Sequence, residues 1–217
     1  MKKCDTIGFR EVLQRLYNLY RFINGGDVMY HVGNDKRKVE SAYLLLDFLF
    51  QLSKQKPFAM ITISDLHRIS GISRSTFYRL FDQPLDILAY HSDTIMEEII
   101  QLQESNGDYF EFLTIMAHKW YENAQLLELI VWSQSIDLLY HSFAKYESEI
   151  LTFIKIDSQD EVLASYVFYI LVSSLLGTLQ AWIKHDKKEK PEELLSIMAR
   201  TFRLFEPYKK TNEEIGL

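Results

Sequence analysis

The chain has 217 residues, of which 47% are hydrophobic, 14% aromatic and 25% charged, and its net charge is −6. That composition excludes a disordered or collagen-like chain, and eight glycines with four prolines supply too few turns for an all-β sandwich or barrel, so the expected fold is all-α. Cys4 is the only cysteine, which excludes an intrachain disulfide and a cysteine-rich zinc site. The charge is unevenly spread: residues 1–35 carry five basic and four acidic groups, residues 36–91 eight and five, and residues 92–217 eleven and twenty-one. A small basic segment joined to an acidic body fits a DNA-reading head on a body that phosphate avoids.

The start of the chain is basic but has no uninterrupted apolar stretch of the kind a secretory signal needs, so the expected location is cytoplasmic. Residues 7–23 place Phe9, Val12, Leu13, Leu16, Tyr17, Tyr20 and Ile23 at helical spacing opposite Arg10, Glu11, Gln14, Arg15, Asn18 and Arg21, which predicts an amphipathic helix. Asn24-Gly25-Gly26-Asp27 ends it, and the stretch to Asp35 reads as a flexible connection. Residues 1–35 are therefore expected to form an N-terminal extension. Its apolar stripe needs a partner: the body or dimer mate in one reading, a regulatory or DNA-contacting arm in the other. A second helix is predicted from Lys36 to about Lys54, with Val39, Ala42, Leu45, Leu46, Leu49 and Leu52 on one stripe.

Residues 61–81, ITISDLHRISGISRSTFYRLF, predict two short helices joined by a tight turn. Thr62 can cap the first while Asp65, three residues on, points back at the open amides. Leu66 and Ile69 face inward. Gly71 sits where the chain must reverse, and Ser73 is placed to cap the next helix. In that helix Phe77 and Phe81 fall on one inward face and leave Arg74, Ser75, Thr76, Tyr78 and Arg79 outside. Arg can span guanine O6 and N7, Ser and Thr can reach bases or phosphates, and Tyr can bond a phosphate oxygen, so this face suits a major groove. A helical hairpin with a solvated polar face is the bland alternative.

Beyond Pro84 the pattern is helical nearly to the end, with breaks near 105–108, near 157–160 and at 185–191 that delimit about five helices. Tyr109, Phe110, Phe112, Trp120, Tyr121, Trp132, Tyr140 and Phe143 crowd the first part of this region. An aromatic-lined effector pocket has this composition, and so does an ordinary core. The candidate ligand-contacting residues are Tyr109, Phe112, Trp120, Trp132, Tyr140 and Phe143, and the acidic body favours an apolar or aromatic effector over a polyanion. Residues 162–183 contain no charge, which is long enough for a membrane span. Ser165, Ser173, Ser174, Thr178 and Gln180 within the run favour instead a buried helix at a dimer interface, with Gly177 allowing close approach.

No two histidines show zinc-enzyme spacing, and no Gly-rich phosphate loop or Gly-x-Ser-x-Gly elbow occurs. The expectation is a protein that is not an enzyme and uses no metal or cofactor.

Residues 37–90 resemble the DNA-binding head of the TetR/AcrR family of bacterial transcription regulators. The resemblance is carried by ITISDLHRISGISRSTFYRLFDQPLDIL: an apolar-Thr start, a Gly-apolar-Ser turn, the Thr-Phe-Tyr core of the recognition helix, and a closing Phe followed by Asp-apolar-Leu. It implies an all-α homodimer made of a helix-turn-helix head, residues 36–91, and an effector-binding and dimerisation body, residues 92–217. By the same resemblance the C-terminal helices pair, and a small effector in the body changes the separation of the heads. Carried over by position, Thr62 caps the helix nearest the DNA backbone, Ser73, Ser75, Thr76 and Tyr78 meet phosphates or bases, Arg74 and Arg79 flank them, and Phe77 and Phe81 are structural.

Two departures stand out. Leu80 occupies a position where a phosphate-contacting His is common, and Pro84, beside Asp82, one where a Lys is common. Lys36, Arg37, Lys38 and Arg68 are the cations available to compensate. The expected function is a ligand-responsive regulator, a repressor released from a palindromic operator. The alternative is a TetR-like protein with weakened or lost DNA binding that acts through protein partners.

Overall fold

The computed structural model describes residues 30–103, 108–155 and 160–203. The helix expected within 7–23 lies outside them. Among the described residues there are ten α-helices and no strand beyond one isolated bridge, so the fold is all-α as expected. Asp35 starts α1 (Lys36–Ser53) by accepting the amides of Arg37 and Lys38 at 2.9 and 3.2 Å. Its stripe of Ala42, Leu45, Leu46, Leu49 and Leu52 is buried. A 3₁₀ turn at Phe58–Met60 leads to α2 (Ile63–Ser70) and α3 (Arg74–Tyr78). Pro84 occupies the first turn of α4 (Pro84–Leu102), where its missing N–H costs nothing, and Asp86 accepts the amides of Asp82 and Gln83 at 3.1 Å each.

The body continues with α5 (Tyr109–Glu122), α6 (Ala124–Trp132), α7 (Asp137–Ala144), α8 (Glu147–Ile154), α9 (Glu161–Lys184) and α10 (Pro191–Arg203). From Pro84 onward there are thus seven helices rather than about five. The extra breaks need neither glycine nor proline. Asn123 separates α5 from α6 with φ −103° and ψ 28°, Gln134 takes φ 59° after α6, and Tyr146, with φ −120° and ψ 25°, separates α7 from α8. Apolar periodicity runs through these turns, so hydrophobic spacing gives no signal there.

α4 runs from the head into the body, packing on α1 at one end and on α5 and α7 further along. Position 91, read as the end of the head, falls inside this continuous helix. His91 is buried there, its Nε2 placed 3.2 Å from the Ala42 carbonyl of α1 and its ring edge-on to Tyr43 and Tyr90. Burial disfavours the imidazolium and pulls the His91 pKa down from 6.5 to about 4, the carbonyl opposing only in part. Above 6.5 both folded and unfolded chains hold the ring neutral, and as the pH falls from 6.5 toward 4 only the unfolded chain gains the proton. Acidification over that window should therefore remove about 3 kcal/mol of stability, and urea unfolding at a series of pH values should show a shallower slope for His91→Phe.

α9 packs on α6, α7, α8 and α10 through Ala164, Phe168, Leu171, Val172, Leu175, Leu176, Leu179, Trp182 and Ile183. It is the one described helix long and apolar enough to cross a membrane by length and composition. Its packed face joins the body's own core, so within one chain the helix is buried on one side and not all round. The opposite face presents Val162, Leu163, Tyr166, Tyr169 and Ile170, then Ser173, Gly177 and Ala181, all exposed.

Candidate nucleic-acid interface

The head is built by contacts a few residues long. The Thr62 hydroxyl accepts the Asp65 amide at 3.2 Å, and Asp65 Oδ2 accepts the Thr62 amide at 3.0 Å, a complete capping box. Asp65 also takes Lys56 at 2.5 Å and Arg68 at 2.9 Å. The Lys56 hydrogen bond, then those from the Thr62 hydroxyl and amide, hold the Asp65 carboxyl well below the usual carboxylate range. Gly71 closes α2 at φ 72°, the left-handed conformation expected of it. A Cβ there would meet open space, so the cost of substitution is confined to the backbone. Gly71→Ala is accordingly expected to lose about 1 kcal/mol in thermal unfolding while leaving the surrounding side chains in place.

Two side chains brace the same turn. His67 Nδ1 lies 2.8 Å from the Ile72 carbonyl, to which its N–H donates, and Ser70 Oγ accepts the Ile72 amide at 3.0 Å while donating to Leu66 O. His67 carries no ligand-spacing motif, so only the folded turn exposes its role.

The Ser73 hydroxyl caps α3 by accepting the Thr76 amide at 3.1 Å, and it lies 2.9 Å from both Ser75 Oγ and Thr76 Oγ1. Phe77 and Phe81 are buried beneath, their ring centroids 6.0 Å apart. Ser73, Arg74, Ser75, Tyr78 and Arg79 are exposed and Thr76 is half-buried. Arg74 donates to Ser64 Oγ of α2 at 2.8 Å, and Arg79 to Thr76 Oγ1 at 3.2 Å. The result is a hydroxyl cluster between two guanidinium groups. Its hydrogen bonds are internal and solvent-exposed, so exchanging them for phosphate oxygens or base edges needs no change of backbone.

Lys36 and Arg37 are exposed at the start of α1, Lys36 loosely paired with Glu40 at 4.0 Å. The same helix start is tied to the turn that follows α3, because Lys38 Nζ donates to His31 O at 3.1 Å and the His31 amide donates to Leu80 O at 2.8 Å. Leu80 is fully buried. The position where a His is common in the resembled family here serves packing and a backbone bridge.

In the body, Phe112, Trp120 and Phe143 are fully buried, and Tyr109 is half-buried against the same core, its hydroxyl pKa raised to about 12 by burial. Phe112 packs against Phe153 of α8 with tilted rings and centroids 5.7 Å apart, and the Tyr140 hydroxyl reaches Ser173 Oγ of α9 at 3.1 Å. Trp132 is 62% exposed, so it stands apart from the other five aromatic candidates. The Trp120 indole N–H is buried and has no hydrogen-bond acceptor among the described residues. No group of three or more His, Cys, Asp or Glu residues able to hold a metal occurs among the described residues.

Residues 107–204 match a family model of the TetR type, described as a transcriptional regulator C-terminal region. No curated protein matches the sequence. Among solved structures, a TetR-family transcriptional regulator from Syntrophomonas wolfei is 17% identical and aligns over 76% of this chain and 93% of its own, with a TM-score of 0.55. A TetR transcriptional regulator from Streptococcus agalactiae is 19% identical over 76% of this chain and 95% of its own, with a TM-score of 0.54. The dihydroxyacetone kinase operon activator DhaS is 13% identical over 77% and 98%, with a TM-score of 0.52. At these identities the likeness is one of fold. The C-terminal match and the shared all-α architecture support a regulator of the TetR type.

Proposed function

We propose that the protein is a dimeric, ligand-responsive DNA-binding regulator that represses transcription from a palindromic operator until a small molecule releases it. The observation that carries this reading is the face of α3, where Ser73, Ser75, Thr76 and Tyr78 lie between Arg74 and Arg79 on a platform of buried Phe77 and Phe81. Two such heads, one turn of duplex apart, read half-sites in successive major grooves. The exposed apolar face of α9 supports pairing with a second copy, bulky residues at its start meeting Ser173, Gly177 and Ala181 of the partner helix if the two cross antiparallel. The effector is an apolar or aromatic molecule bound among the body's aromatic residues. The unpaired Trp120 N–H supports one that also carries a hydrogen-bond acceptor. Release is a population shift toward a head spacing that no longer fits the operator.

The test is selection of bound duplexes from a random and promoter-derived pool at two salt concentrations, followed by sequencing. A palindrome whose affinity falls steeply with salt is expected, and no enrichment at low salt by a folded dimer overturns the proposal. Two observations favour variants of this reading. DhaS bears the name of an operon activator, and a DNA-bound dimer of this shape can activate if its operator lies upstream of a promoter. The buried Leu80, with Pro84 beside Asp82, removes two polar contacts and favours weakened DNA binding with action through protein partners, the outcome that a failed selection would point to.

A further inference from the structure

Three residues ahead of α1 join the head to the body. Tyr30 pairs with Phe81 in an isolated antiparallel bridge, the His31 amide donates to Leu80 O at 2.8 Å, and Val32 is fully buried. These residues thus form one rung alongside the turn that ends the recognition helix. The Tyr30 side chain points the other way along α4. Its ring is edge-on to Tyr90 at 5.2 Å, and Tyr90 in turn packs on Phe81 at 6.0 Å. Its hydroxyl donates to Asp93 Oδ2 at 2.8 Å.

Asp93 is the joint. Its side chain is only 10% exposed, and it also accepts Ser142 Oγ at 2.6 Å and Lys145 Nζ at 2.6 Å, both from the end of α7 in the body. The Lys145 ammonium lies 5.5 Å from the centre of the Tyr30 ring. One buried carboxylate on the helix shared by head and body therefore gathers a donor from the rung beside the recognition helix and two donors from α7. A carboxylate with little water must keep such donors, so a shift of α7 and a shift of the rung are coupled through it.

We infer that Tyr30 is a positioning residue: through Asp93 it latches the recognition helix to α7 and sets the angle at which that helix is presented to DNA. The functional consequence rests on the DNA-binding reading above, whereas the latch itself is a property of the fold. An effector that displaces α7 would act on the head through this carboxylate, and so would anything that draws the N-terminal extension away from Phe81.

The experiment places nitroxide labels at Gln51→Cys on α1 and Glu122→Cys at the end of α5, with Cys4→Ser to leave no other thiol. The labelled protein is diluted into unlabelled protein so that pulsed dipolar spectroscopy reads distances within one chain. The expected result is a single narrow distance in the parent, and a broadened or second distance in both Tyr30→Phe and Lys145→Met. Both variants keep the packing of the side chain they replace, so folding is retained. With a selected operator in hand, each should also weaken binding by about tenfold, and the double variant by little more than either single one, because both act on one carboxylate. Unchanged distance widths in both variants would overturn the latch whether or not the protein binds DNA. If the parent binds no duplex, the DNA-binding reading fails, and the distance measurement still decides the latch.

Discussion

Charge reversal at both Arg74 and Arg79 is expected to abolish selected-duplex binding, a loss of about 10³-fold or more at low salt read by fluorescence anisotropy, with the unfolding temperature unchanged. Each arginine is exposed and, among the described residues, bonds one hydroxyl, Ser64 for Arg74 and Thr76 for Arg79, so neither supports the core. Replacing a cation by glutamate on α3 removes an attraction and adds a repulsion at the surface proposed to approach phosphate. The salt dependence should flatten as the number of neutralised phosphates falls. Lys184 and Lys188 provide the control: they are equally exposed but lie in the body, and the same reversal there should change affinity by no more than a few-fold. Equal losses at the two sites would mean that net charge, rather than the α3 face, governs binding.

The second large effect is expected at α9. Tyr166→Glu with Ile170→Glu puts two charges on the exposed apolar face without touching Phe168, Leu171 or Val172, which hold the helix in its own body. If this face joins two copies, the pair would bury four carboxylates, and sedimentation velocity should show monomers at concentrations where the parent is dimeric. Operator affinity should fall by about 10²-fold or more in the same variant, because a single head loses the effective concentration that the second half-site gains from the first. A dimer that survives both substitutions would place the interface elsewhere.

Much of the head is legible in the residues because its structure is local. The Thr62–Asp65 box, the left-handed Gly71 and the Ser73 cap each involve groups no more than three or four residues apart, so identity and spacing specify them without knowledge of the rest of the chain. The inward Phe77 follows from helical period, whereas Phe81 lies past the end of α3 and is fixed by its bridge to Tyr30. His67 shows where that legibility ends even within the head: its bond to Ile72 O depends on the turn being folded and has no sequence signal of its own.

The body is legible only in class. Composition and period announce helices, and the uncharged run of 162–183 announces a helix with an apolar surround. Which arc of α9 meets α6, α7, α8 and α10, and which is left exposed, is decided by how the helices stack. Trp132 and Trp120 are alike as residues, yet one ends α6 in solvent and the other is sealed in the core with an N–H that has no acceptor among the described residues. The Tyr30–Asp93 bond spans 63 residues and Asp93–Ser142 another 49. Contacts at that separation are products of chain closure around a common core. Local free energies write the caps, the turn and the helical period into the sequence, whereas the latch, the free face of α9 and the fate of each aromatic side chain exist only once the helices have packed.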